Sequence, residues 1–177
     1  EDNLTNVFII VTNLEDKKGL VKIGNERVIS ARLSDAKFFW EKNKAQSLVK
    51  QVNNLKSINF FSKLGTLFHK VQRIKKLGTM IADQLNLNGE KVEISASICK
   101  VDLLSDLVRE YPELQGILGC YFAKVQGFDE DISMAIKEHY LPLGLDSKIP
   151  KKPISVAVAI VDKIDTLVGF FGIGEKP

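Results

Sequence analysis

The chain has 177 residues, 45% of them hydrophobic, and a formal net charge of +3, which supplies enough apolar material for a proper core and excludes a disordered chain. No apolar run approaches the roughly 18 residues that spanning a bilayer demands, and the opening Glu1-Asp2-Asn3 has neither the basic nor the apolar region of a secretory signal, so a soluble cytoplasmic protein is expected. The small net charge conceals a division. From Lys37 to Lys76 ten basic residues face one acid, Glu41, a local charge of +9 that leaves −6 for the remainder, and between Val101 and Asp146 nine acids face only Arg109, Lys124 and Lys137. Such a split points to a polyanion or an acidic partner on one side.

Taken in order, residues 7–12 (Val-Phe-Ile-Ile-Val-Thr) and 20–23 are compact β-favouring runs separated by Glu15-Asp16-Lys17-Lys18-Gly19, and they read as a β-hairpin. Two strands alone leave such an apolar first strand uncovered. Residues 1–30 are therefore expected to end an upstream α/β domain, with a mainly α bundle over 31–177. From Ala31 the period turns helical through Leu33, Ala36, Phe39 or Trp40, Leu48, Val52 and Leu55. Ser62 is placed to cap a further helix carrying Leu64, Leu67, Phe68, Val71, Ile74, Ile81 and Leu85.

The stretch Ile98–Ala123 organises the rest. Ile98, Val101, Leu104, Leu107 and Val108 ask for one buried helix face, Tyr111-Pro112 breaks it, and a second apolar helix restarts at Leu114. Another helix follows Gly127-Phe128-Asp129, then Pro142, Pro150 and Pro153 punctuate a connection. Ile154–Phe171 is nearly all apolar and is expected to be the central buried helix.

Few residues offer chemistry. Cys99 and Cys120 sit in apolar helical contexts and are expected in the core. Ser34-Asp35-Ala36-Lys37 has the Ser-x-x-Lys spacing of penicillin-binding enzymes but lacks their companion motifs, and Gly169, Gly172 and Gly174 suit a helix C-terminus better than a phosphate loop. His69 and His139 are too few for the ligand set of a metal phosphohydrolase, so surface or hydrogen-bonded structural roles are expected and neither a metal nor a catalytic residue is assigned. Asp162 and Asp165 are more informative. A carboxylate in an apolar helix needs a partner, and Lys100, Arg32 or Lys163 can supply it. Arg32, Lys100, Asp102, Asp162 and Asp165 are thus the candidate structural polar cluster, with Lys100, Asp102 and Asp162 fixing helix register.

Several segments in fixed order resemble the bacterial glycyl-tRNA synthetase β subunit. They are Ala31-Arg32-Leu33-Ser34-Asp35-Ala36-Lys37-Phe38-Phe39-Trp40, Lys63-Leu64-Gly65-Thr66-Leu67 with Lys70-Val71 and Arg73-Ile74, then Lys100 and Asp102-Leu103. Glu113-Leu114-Gln115-Gly116, Glu138-His139-Tyr140-Leu141-Pro142 and the run from Asp162 to Phe171 complete the set. The resemblance implies an α₂β₂ class II ligase that joins glycine to tRNA, with ATP and Mg used through the α subunit and no cofactor in this stretch. It also implies that 31–177 is similar to a degenerate phosphohydrolase domain of the His-Asp (HD) type, retained for binding and inactive alone. The implied partners are the α subunit, tRNA and the rest of the β subunit, without a membrane. The basic stretch then acquires a ligand: Lys37, Lys63, Lys70 and Arg73 are the candidate tRNA contacts. The competing expectations are a purely structural module touching other β domains or the α subunit, and a residual metal-dependent phosphohydrolase.

Overall fold

The computed structural model describes residues 5–177 and is mainly α-helical. The chain divides into two compact units, Glu1–Phe39 and Trp40–Pro177. In the first, residues 7–12 form no strand and Leu20 opens helix α1 (Leu20–Lys44). The hairpin expected over residues 7–12 and 20–23 is thus absent, and the helix begins well before Ala31. The reason is local. Both carboxylate oxygens of Asp16 accept backbone N–H groups, from Val21 at 3.1 Å and Lys22 at 2.9 Å, and so satisfy donors that an opening helix leaves free. With those donors capped, Val21 and Ile23 are carried into a helix despite their β-branched side chains.

The second unit takes in the last residues of α1, and a short helix α2 (Leu48–Gln51) and the 3₁₀ segment Val52–Ser57 come next. The two strands among the described residues follow, β1 (Asn59–Phe61) and β2 (Gly65–Thr66), paired antiparallel with Asn59 opposite Thr66. Phe61 packs on Phe170 at 4.9 Å between ring centroids, which anchors this small hairpin. Helix α3 (Leu67–Gln84) then starts at Thr66, not at the expected Ser62, because the Thr66 N–H donates to His69 Nδ1 at 3.2 Å across the first turn.

Helix α4 (Gly89–Ile98) is capped by Asn88, whose side chain accepts from Lys91 N–H at 3.0 Å. The organising stretch resolves into short pieces: a 3₁₀ turn at Val101–Leu104, helix α5 (Asp106–Glu110) capped by Ser105, a 3₁₀ turn at Pro112–Leu114, and helix α6 (Ile117–Val125). The break at Tyr111-Pro112 stands, and Tyr111 leaves the helical region there, with φ −129° and ψ 77°, as a residue before proline should. Helix α7 (Glu130–Glu138), capped by Asp129, and α8 (Pro153–Gly172), with proline in its first turn, complete the unit.

Helix α3 packs on α4 and α8, and α7 on α6 and α8. Val71, Ile74, Val92, Ala96, Ile136, Val158 and Val161 are wholly buried between them. Trp40 stacks on Phe122 at 5.4 Å. Helix α8 differs from the central buried helix expected of it: Ile154, Ala157, Val158 and Val161 face the core, whereas Ile160, Ile164, Leu167, Val168 and Phe171 remain exposed. A helix apolar on both sides has here been covered on one. Among the described residues no helix is long and apolar enough to cross a membrane.

Candidate functional site

The charged residues of the second unit concentrate where α3 and α4 meet α8. Lys70 lies on the same side of α3 as Leu67, Val71 and Ile74, so the helical repeat carries it inward with them. Its Nζ donates to Thr166 Oγ1 at 2.8 Å, to Asp165 Oδ2 at 3.1 Å and to the Asp162 carbonyl at 3.1 Å, and ion-pairs with Asp162 Oδ1 at 3.0 Å. Arg73, one turn on, meets Asp165 as a fork, Nε at 2.6 Å and Nη2 at 3.2 Å, while Nη1 donates to the Leu64 carbonyl. Lys100 arrives from the end of α4, donates to Asp162 Oδ2 at 3.0 Å and lies 4.0 Å from the centroid of the Tyr140 ring. Two buried carboxylates therefore hold three cations.

Burial pushes the Asp162 carboxyl up, but Lys100 and Lys70 more than offset it and leave the group at about 2. Beside it, burial holds the His139 imidazole well below the ordinary histidine range, and the Lys100 charge pushes the same way. His139 Nδ1 bonds the Ile136 carbonyl at 2.6 Å, so the ring is a neutral structural donor. Burial also pushes the Cys99 thiol up to about 12, which removes it as a nucleophile near neutrality. Cys99 and Cys120 are both buried and free.

Asp102 uses its carboxylate differently. It is buried in the 3₁₀ turn before α5, and its Oδ2 accepts the N–H groups of Gly116 and Gly119 (3.2 Å for the latter), so it caps α6 from a distance in sequence. Both glycines are required by this approach. Gly116 has φ 76°, and a Cβ on Gly119 would stand 2.7 Å from Ile136 Cγ2 and 3.0 Å from Asp102 Oδ2. Burial raises the Asp102 carboxyl to about 6 against the pull of the two N–H groups.

The sequence candidates are thus distributed unevenly. Lys100 and Asp162 touch, Asp165 belongs to the same network, and Asp102 points to α6. Arg32 is exposed on α1 in the first unit, and the cations on Asp162 and Asp165 are Lys70, Lys100 and Arg73. Lys163 turns away, donating to the carbonyls of His139 at 3.2 Å and Leu141 at 2.7 Å. Among the candidate tRNA contacts, Lys37 and Lys63 are exposed, the latter 3.8 Å from Glu175, but Lys70 is buried with its donors engaged, so it cannot meet a phosphate. Arg73 is only partly exposed and committed to Asp165.

More of the basic stretch is neutralised from afar: Lys42 pairs with Asp106 at 2.8 Å and Lys75 with Glu93 at 2.7 Å. Lys50, Lys56 and Lys76 stay exposed. The role of Lys70 was readable in principle from its i+3 spacing to Leu67. The glycine cradle of Asp102 has no such signal. For metal chemistry, both oxygens of Asp162 are taken by ammonium groups, and among the described residues no three of His, Cys, Asp and Glu are grouped to hold a metal ion.

Beside this network, and sharing Arg73 and Asp165 with it, α3 and α8 enclose a groove of about 530 Å³. Leu64, Leu77, Met80, Ile164 and Val168 form its apolar surface, and Lys63, Arg73 and Lys76 line it as well.

The family model described as glycyl-tRNA synthetase beta subunit matches residues 1–177. Among curated proteins, the glycine–tRNA ligase beta subunit of Rhodospirillum centenum is 47% identical over 175 residues, covering 96% of this chain and 24% of that protein. The beta subunits of Colwellia psychrerythraea and Thiobacillus denitrificans are 44% and 41% identical, each over 98% of this chain and 25% of their own length. The chain thus spans about a quarter of the relatives it matches.

Proposed function

The chain belongs to the glycyl-tRNA synthetase β-subunit family, and on that basis we propose that it is a non-catalytic tRNA-binding and assembly module of a glycine–tRNA ligase. The whole enzyme attaches glycine to tRNA in the cytoplasm as an α₂β₂ assembly, with ATP and Mg used through the α subunit. The helical body is an HD-like scaffold that has given up hydrolysis. One observation carries this reading: the buried carboxylates and cations of the α3–α8 seam are consumed by one another, so they fix helix positions. The tRNA contact then falls to cations left at the surface, Lys37, Lys50 and Lys56; Lys70 and Arg73 are withdrawn from that set because Asp165 holds them, and Lys63 because it lines the apolar groove. Such contacts supply salt-sensitive affinity without sequence discrimination.

The test is tRNA binding by the assembled enzyme across a salt series. Reversing Lys37, Lys50 and Lys56 to Glu flattens the slope of log K against log salt by about 0.7 to 0.9 for each phosphate that is no longer neutralised. An unchanged slope with unchanged affinity sinks the tRNA role. The second reading, a purely structural module, draws support from the internal pairing of Lys42, Lys70, Arg73 and Lys75, and it calls for lost α–β assembly with tRNA affinity of the β subunit intact.

A further inference from the structure

The groove between α3 and α8 continues into the exposed side of α8, where Ile160, Ile164, Leu167, Val168 and Phe171 recur at helical spacing. Val168 and Phe171 are 67% and 64% exposed, so the stripe is open over its last turns. A continuous apolar stripe of this kind on a helix is a binding surface, unlike apolar residues scattered singly.

Its charge narrows the occupant. Among the described residues Asp165 is the one acid lining the groove, and Lys70 and Arg73 already neutralise it, so Lys76, together with Lys63 that Glu175 holds only at 3.8 Å, leaves the rim positive. A second copy would bring the same cations against themselves. RNA suits the floor poorly, because Leu64, Leu77, Met80, Ile164 and Val168 offer no ring on which a base can stack, and the stripe beyond them adds the single ring of Phe171 at its end. About three quarters of the length of the curated relatives lies outside the matched stretch, which is ample chain to supply a covering segment.

We infer that this face docks an amphipathic helix with acidic flanks, contributed by another part of the longer β polypeptide. Its apolar side lies on Ile164, Leu167 and Val168, and its carboxylates meet Lys63 and Lys76. The inference rests on reading the chain as a region of the β subunit and is independent of its contact with tRNA.

Zero-length carbodiimide coupling of the full-length β subunit in its α₂β₂ assembly, with light and heavy copies mixed, tests it by mass spectrometry. The expected product joins Lys63 or Lys76 to Asp or Glu of one segment outside residues 1–177, within a single copy. The double variant Ile164→Gln, Val168→Gln, which adds no carboxylate beside the lysines, lowers that coupling at least tenfold. Coupling only to a second copy or to the α subunit, or none at all in the unsubstituted enzyme, overturns the proposal. So does protection of Lys63 and Lys76 by tRNA together with lost tRNA affinity on their reversal. Unchanged tRNA affinity and salt slope on reversal of Lys37, Lys50 and Lys56, with the coupling intact, refutes the tRNA role alone.

Discussion

Asp162 and Asp102 are two aspartates buried in the same helical unit, and their surroundings drive them apart. Asp162 sits between Lys70 and Lys100 and is held at about 2. Asp102 meets two backbone N–H groups at the start of α6 and is raised to about 6. Full positive charges in a buried setting outweigh the cost of desolvation, whereas peptide dipoles offset only part of it. Asp162 is thus held in its charged form near neutrality, while the Asp102 corner carries a carboxylate that burial would rather see protonated.

The largest effect should come from breaking the seam. Asp165→Ala leaves Lys70 and Arg73 facing a buried gap, and a loss of about 3–5 kcal/mol is expected in urea unfolding. Lys70→Met combined with Asp165→Leu should recover part of it, since the buried cation then leaves with the carboxylate and Arg73, more than a third exposed, can turn to water. A double variant as unstable as the single one would show that the network does more than neutralise itself.

The corner should answer to pH instead. The folded Asp102 carboxyl lies above its ordinary 3.8, so its contribution is fully present below about pH 3.8 and is lost as pH rises through about 6. That loss amounts to about 2–3 kcal/mol. Asp162 has the opposite sign: its contribution is present above 3.8 and disappears as pH falls through about 2. Asp102→Asn, which keeps an oxygen for Gly116 and Gly119, should therefore lessen the decline in stability between pH 4 and 6. Parallel unfolding curves for the two proteins across that range would refute the assignment.

Gly119→Ala probes the same corner without touching charge. Its Cβ would stand 2.7 Å from Ile136 Cγ2, and a cost of about 1–3 kcal/mol is expected by thermal melting. Least sensitive is the surface pair Lys75–Glu93, its partners 38% and 44% exposed. Lys75→Ala should shift stability by no more than about 0.5 kcal/mol, and that shift should vanish at high salt.

The helical class, the long helices around α3 and α8, the break at Tyr111-Pro112 and the family are all legible in the residues alone. Each is written in local signals: the 3.6-residue apolar repeat, the geometry before proline, and motifs in fixed order. The need of Asp162 and Asp165 for partners is legible in the same way. Which partners they take is settled by folding, because those cations come from α3 and α4, far away along the chain. For the same reason Lys70, counted in a basic stretch, became an interior group, and acids at 93, 106, 162 and 165 cancelled much of that stretch. Charge counted along a chain has no knowledge of what folds against it. Local signals also misled at residues 20–23, where Asp16 capped a helix that β-branched side chains disfavour. Asp102 depended most on the fold, since two backbone N–H groups and the bare Cα atoms that admit it leave no trace in residue types alone.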